Sequence, residues 1–218
     1  MGNDKLMQIL IWVVPVLFSI VIHEVSHGWV ASKLGDQTAK VMGRLTLNPI
    51  HHIDILGTIV IPLIGIIAGG FVFGWAKPVP VNPYNFYQHI NVRKGMMQVA
   101  LAGPASNFIL AFAASFVLVG SQMFFPNDFV LWLMSALVWI NIYLAIFNLI
   151  PIPPLDGSKI LMGFTPYKYD EFFMKVERYG FFILIFLLVT DLIKFLLMPA
   201  QWIFQLFIWV PQTIFSMI

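Results

Sequence analysis

The sequence has no cysteine and very little charge. Without cysteine there is no disulfide and no thiolate ligand, so any metal must be held by His, Asp or Glu. Charged residues make up only 10% of the 218 positions, against 60% hydrophobic. A soluble domain needs roughly a quarter of its residues charged to cover its surface, so lipid must cover much of this one. The formal charge of +2 and the lack of a long basic run exclude nucleic acid as a partner. Low-complexity linkers, internal repeats and an appended soluble domain are also missing. Residues 1–218 therefore read as a single membrane-embedded domain, with a core at about 6–165 and a C-terminal helical hairpin at about 180–218. The first apolar stretch is not a cleaved signal peptide, because it carries a charged cluster and lacks a clean cleavage site.

What the chain does have is long apolar runs, at approximately 6–30, 55–73, 96–120, 129–150, 180–198 and 200–218. About 20 apolar residues in a helix cross the hydrocarbon layer. The fold class is thus an all-α polytopic membrane protein, a transmembrane helix bundle. Lys33, Lys40 and Arg44, then Lys77, Arg93 and Lys94, then Lys159, Lys168, Lys175 and Arg178 place three basic loops on the cytoplasmic side, whereas the link near 121–128 holds only Asp128. If the loops at 31–54 and 74–95 share one side, segment 55–73 cannot cross once. Gly57, Pro62, Gly65, Gly69 and Gly70 weaken a straight helix there, and we expect a re-entrant or hairpin element packed against protein or a water-filled cavity. The alternative is an ordinary spanning helix. Met198-Pro199 divides the tail into two helices or kinks one.

Residues 20–28 read Ile-Val-Ile-His-Glu-Val-Ser-His-Gly. On a helix, His23 and His27 leave from one face a turn apart, a spacing from which two imidazoles can bind one Zn²⁺. Glu24 is badly placed to join them as a ligand but well placed to take a proton from activated water. Ionisable groups in an apolar helix cost about 2.5–3.5 kcal/mol each on insertion scales, so three in five residues require compensation. A buried polar cluster satisfied by neighbouring helices is the plain alternative. A catalytic zinc takes three protein ligands. The best third candidate is Asp156, which follows a hydrophobic helix and a proline-rich bend; by itself it also fits an Asp-Gly turn.

With these residues the chain resembles the site-2 protease family of intramembrane zinc metalloproteases. The resemblance rests on His23-Glu24-Val25-Ser26-His27, on the run from Asn148 to Gly157, and on Gly103-Pro104-Ala105-Ser106-Asn107. It extends through Arg44 to Pro49 and Gly74 to Asn82, which look like the compact bacterial and archaeal branch without PDZ or CBS domains. The resemblance implies His23, His27 and Asp156 as Zn²⁺ ligands, Glu24 as the catalytic residue, and Asn148 as a group orienting the scissile carbonyl or its oxyanion. It implies cleavage of transmembrane-helix protein substrates within the lipid bilayer, often after a first cut by another protease. The setting is a multi-pass protein of a bacterial or archaeal cell membrane, with the active site toward the cytoplasm. Relatives carry an extended substrate-presenting element after the metal helix, expected here as a small β element at Val41–Leu47. Some also carry an additional leading helix, not expected in this chain.

His51 and His52 precede the re-entrant element. Either is a candidate to gate the site or stabilise an oxyanion, and His52 fits the branch better; interfacial contact is the alternative. Asn107 and Asn141, inside apolar helices, are expected to hydrogen-bond between helices, and Gly103-Pro104 to start a helix and allow close packing. Two rival functions remain at this stage. One is a membrane zincin acting on other substrates, with Glu171 or Glu177 as third ligand. The other is a non-catalytic metal-binding chaperone or transporter, against which the intact Glu24 argues.

Overall fold

The computed structural model describes residues 2–67 and 74–217. Helix α1 (Gly2–Lys33) is followed by a one-turn α2 (Thr38–Val41). A π turn at Ile55–Val60 then leads into α3 (Ile61–Ile67), and the two long helices are α4 (Val92–Phe124) and α5 (Asp128–Leu149). Next come α6 (Asp156–Phe164), α7 (Asp170–Val189), a short α8 (Ile193–Leu196) and α9 (Pro199–Phe215). Among the described residues, four helical stretches are long and apolar enough to cross a membrane: Leu10–Lys33, Val92–Phe124, Asp128–Leu149 and Ile193–Phe215.

Local sequence accounts for the helix ends. Asn91 caps α4 by accepting from the Lys94 amide, and Asn127 caps α5 by accepting from that of Val130. The link between α4 and α5 is so short that they pack side by side as antiparallel neighbours. Ala111 and Ala114 of α4 let α5 approach closely at Val138 and Ile142, and Ala200 of α9 closes the same cluster. Small residues serve this role where lipid removes the hydrophobic drive between helices. Trp139 stacks on Phe204 at 4.1 Å and ties α9 to α5.

Three expectations are corrected. No strand occurs among the described residues, and 41–47 is a helix end and turn. The amides of Met42, Gly43 and Arg44 are used in closing α2, donating to Thr38, Lys40 and Ala39, and Gly43 has φ +65. The re-entrant element expected at 55–73 falls partly on 68–73, outside the described residues. Its described part is the short apolar helix at Ile55–Ile67. Gly103-Pro104 does not start a helix but lies inside α4. In the tail, the main break falls at 190–192, where Asp191 takes φ 59, and α7 ends before it; Pro199 merely opens α9.

The stretch 74–82 has no regular structure and forms a strap across α1. It is pinned at several points. The Arg44 guanidinium donates to the carbonyls of Lys77 (2.8 Å) and Pro78 (3.3 Å). The Lys77 amide donates to the carbonyl of His52. Asp36, fully buried, accepts from the amides of Thr38 and Asn82, from the Thr38 hydroxyl and from the Asn85 side chain. Burial alone would raise the Asp36 pKa, but these donors outweigh it and hold the carboxyl below its ordinary range. Gly35 joins α1 to this cluster at φ +115, and a Cβ there would lie 2.8 Å from the Tyr87 amide nitrogen.

Candidate metal centre

The site is assembled by three elements. Helix α1 presents His23 and His27, α4 packs behind them, and the first residue of α6 brings Asp156 opposite. The proline-rich run 151–154 stops α5, and Gly157 lets the chain fold back. A Cβ on Gly157 would lie 2.2 Å from the Leu149 carbonyl oxygen, so this reversal needs glycine. Asp156 is thereby held over the imidazoles. All three side chains are buried.

Their facing atoms form a nearly equilateral triangle. His23 Nε2 and His27 Nε2 are 3.0 Å apart, and Asp156 Oδ2 lies 3.1 Å from the first and 3.2 Å from the second. Tetrahedral coordination with bonds of roughly 2.0–2.1 Å separates ligand atoms by about 3.3 Å, so the triangle fits a metal ion. Among the described residues it is the cluster of three His, Asp or Glu groups able to hold one.

The polar surroundings orient both rings so that their Nε2 atoms face Asp156. His27 Nδ1 lies 2.7 Å from the Val99 carbonyl oxygen, which can only accept, so Nδ1 carries a proton and, in the neutral ring, Nε2 is the lone pair. His23 Nδ1 lies 2.6 Å from Asn107 Oδ1. The orientation of Asn107 follows from its far side: its amide donates to Asn141 Oδ1, and Asn141 donates to the Leu137 carbonyl and to Ser19 Oγ, whose hydroxyl donates to the Pro15 carbonyl. Each donor ends on an acceptor, so Asn107 Oδ1 must accept from His23. Two imidazole nitrogens and a carboxylate oxygen turned toward one point form a donor set suited to a zinc ion.

One face of α4 reads both imidazoles. Val99, Gly103 and Asn107 recur every four residues and so lie in line along that helix. The first orients His27, the last orients His23, and Gly103 leaves room for the rings between them. A Cβ on Gly103 would lie 2.5 Å from His23 Cε1 and from His27 Cε1 and Nε2. Sequence reasoning gave Asn107 and Asn141 a bond between helices, which they make; the support of His23 went unseen. An amide one turn from a small residue in an apolar helix was the available signal.

Glu24 is half-buried, and its Oε2 accepts from the Val79 amide at 2.8 Å. Glu24, His23 and Asn148 line two cavities. The first, about 400 Å³, is walled by apolar side chains including Trp75, Phe147 and Leu184. The second, about 360 Å³, also reaches His27, Asp156 and Lys159. Asn148 uses one amide hydrogen on the Leu144 carbonyl, which leaves the other for a second acceptor. His52 lines neither cavity; its Nε2 faces the Thr46 carbonyl at 2.9 Å, within the turn that supports the strap.

The profile of peptidase family M50 matches residues 11–131 and 125–190 of the chain. YwhC of Bacillus subtilis is 40% identical over 198 residues, covering 86% of this chain and 84% of its own. Rip2 of Mycolicibacterium smegmatis is 29% identical over 196 residues, covering 88% and 70%. A protein of Methanocaldococcus jannaschii is 27% identical over 151 residues, covering 69% and 33%. All three carry names that call them zinc metalloproteases. No solved structure matches the chain. The chain belongs to peptidase family M50, the site-2 protease family, and is a multi-pass integral membrane zinc metalloprotease.

Proposed function

We propose that this protease hydrolyses peptide bonds in or beside the transmembrane segments of membrane-protein substrates. The observation that carries the reading is where the ligands sit. His23 and His27 belong to the apolar stretch Leu10–Lys33, and the groups orienting them come from the second apolar stretch, Val92–Phe124. A metal centre built between two such helices is reached from within the bundle. The rival third ligands, Glu171 and Glu177, take no part in the cluster.

In this reading His23, His27 and Asp156 hold the zinc, whose Lewis acidity activates water and the scissile carbonyl. Glu24 takes the proton from the attacking water and returns it to the leaving amine. The free amide hydrogen of Asn148 donates to the oxyanion, a contribution of about 10²–10³-fold where such donors have been removed. His52 acts at a distance, through the strap. The apolar cavity receives the substrate, and Lys159 marks the side from which water arrives. A substrate helix hides its amides in internal hydrogen bonds, so it must unwind at the cut.

In this reading the basic loops face the cytoplasm of a bacterial or archaeal cell, and the site lies toward that side of its membrane. Trp75 donates its amide to the Gly57 carbonyl at 3.0 Å, so the chain leaves at 55 and is back beside that point by 75. That supports an element at 55–73 which enters and leaves on one side, within a single domain spanning 1–218.

The test is a reconstituted liposome assay with a transmembrane substrate and, in parallel, the same scissile sequence on a soluble carrier. We expect zinc-dependent cuts, mapped by mass spectrometry, within or at the edge of the membrane segment. Cuts confined to soluble regions would contradict the proposal.

A further inference from the structure

The strap over α1 has a feature that the proteolytic reading does not use. Between Lys77 and Val81 the sequence is Pro78-Val79-Pro80. Proline has no amide hydrogen, so Val79 carries the one donor in this stretch. That donor is spent on Glu24 Oε2, at 2.8 Å. The Val79 side chain is buried and meets α1 one turn beyond Glu24, at Gly28. A Cβ on Gly28 would lie 2.7 Å from Val79 Cγ1 and 2.7 Å from Leu45 Cδ2. The strap therefore lies flat on the face of α1 that carries the carboxylate.

We infer that Val79 is a positioning residue, whose backbone amide fixes the carboxylate of Glu24 for proton transfer. The inference rests on the role given above to Glu24. A glutamate side chain has three rotatable bonds, and with no donor it samples many directions. Binding Oε2 to a fixed amide leaves Oε1 as the oxygen that faces the reacting water. The amide is well suited to this because the strap is stiff. Both prolines set their own φ and restrict the residue before them. Arg44 holds the carbonyls of Lys77 and Pro78, the His52 carbonyl holds the Lys77 amide, and Asp36 holds the amide of Asn82. Arg44 and Asp36 are themselves buried. Together the prolines and these clamps fix the position of one N–H.

The experiment compares wild type, Val79→Ala, and a chain in which Val79 is replaced by its α-hydroxy analogue. The last change turns the amide into an ester, removing the N–H while keeping the side chain. Zinc per chain, kcat and KM are measured on a transmembrane substrate. Val79→Ala should keep its zinc and stay within about threefold of wild-type kcat. The ester should keep zinc and KM but lose about 10–100-fold in kcat, the scale of a misplaced catalytic group. A second readout needs no activity. In metal-free protein, Glu24→Ala should speed hydrogen exchange of the Val79 amide by at least about tenfold while the Lys77 amide keeps its protection. The prolines leave few amides in this peptide, so the two are resolved. An ester variant at the wild-type rate, one that loses zinc, an alanine variant as slow as the ester, or unchanged exchange at Val79 would each overturn the inference. Absence of zinc-dependent cleavage by the wild type would instead refute the proteolytic reading, and the exchange result would still report on the contact.

Discussion

Gly103→Ala adds a single methyl group, and the structure indicates where the strain goes. The new Cβ would stand 2.5 Å from three imidazole atoms, two of them on His27. Carbon atoms in ordinary contact are about 3.5–4.0 Å apart, so the rings or the helix must give by about 1 Å. The rings cannot swing away freely, because their Nδ1 atoms are bonded to Val99 and Asn107 on the same helix. Ligand distances in a working zinc site hold to about ±0.2 Å. Overpacking of this kind costs about 1–3 kcal/mol, and disturbed support of zinc ligands costs about 10–100-fold in affinity. We therefore expect zinc to bind about 10–100-fold more weakly. The helix itself should not suffer, since alanine favours a helix interior over glycine by about 1 kcal/mol. The assay is zinc competition against a chelator in detergent, with helical content followed by circular dichroism. Retained helix with weakened zinc is the predicted pattern. Wild-type zinc affinity in Gly103→Ala would refute the packing of α4 against both imidazoles.

Three further outcomes follow from the same geometry. Asn107→Leu removes the acceptor that fixes the His23 tautomer, and zinc affinity should fall about 10–100-fold; unchanged affinity would dismiss the role of the Asn107–Asn141–Ser19 chain. Asp36 has a depressed folded pKa, so the stability it adds is present above its unfolded value of about 4 and is lost as pH falls from there through the folded pKa. Thermal unfolding should show that acid loss in wild type and a flatter acid limb in Asp36→Asn; identical limbs would count against it. Cysteines placed at Lys40 and Tyr84 should be shielded from an impermeant thiol reagent outside intact cells, while one at Pro126 should label; labelling at 40 but not 84 would make 55–73 an ordinary crossing.

The parts of the site legible in the sequence were those carried by side chains at short range. His23 and His27 declared themselves by helical spacing in an apolar run, and Asp156 by the proline bend before it. The structure brings these three into one triangle. What lay beyond sequence reasoning is mostly backbone and empty space. The Val99 carbonyl and the Val79 amide leave no trace in residue identity; close packing was expected at Gly103, but not that the imidazoles are what packs there. The β element at 41–47 was read from a loose alternation, but Gly43 and the capping amides of α2 take that stretch into a turn. The tail breaks at Asp191 without a proline or glycine to mark it, and local punctuation pointed instead to Met198-Pro199.

The central claim is a zinc protease in which Glu24 moves the proton and is not a ligand. Glu24→Gln keeps the shape of the side chain and leaves His23, His27 and Asp156 in place. Zinc should stay at about one per chain. Cleavage of a transmembrane substrate in liposomes should fall by at least about 10²–10⁴-fold, the usual share of a general base. A Glu24→Gln protein that holds its zinc and cleaves at the wild-type rate would contradict the account.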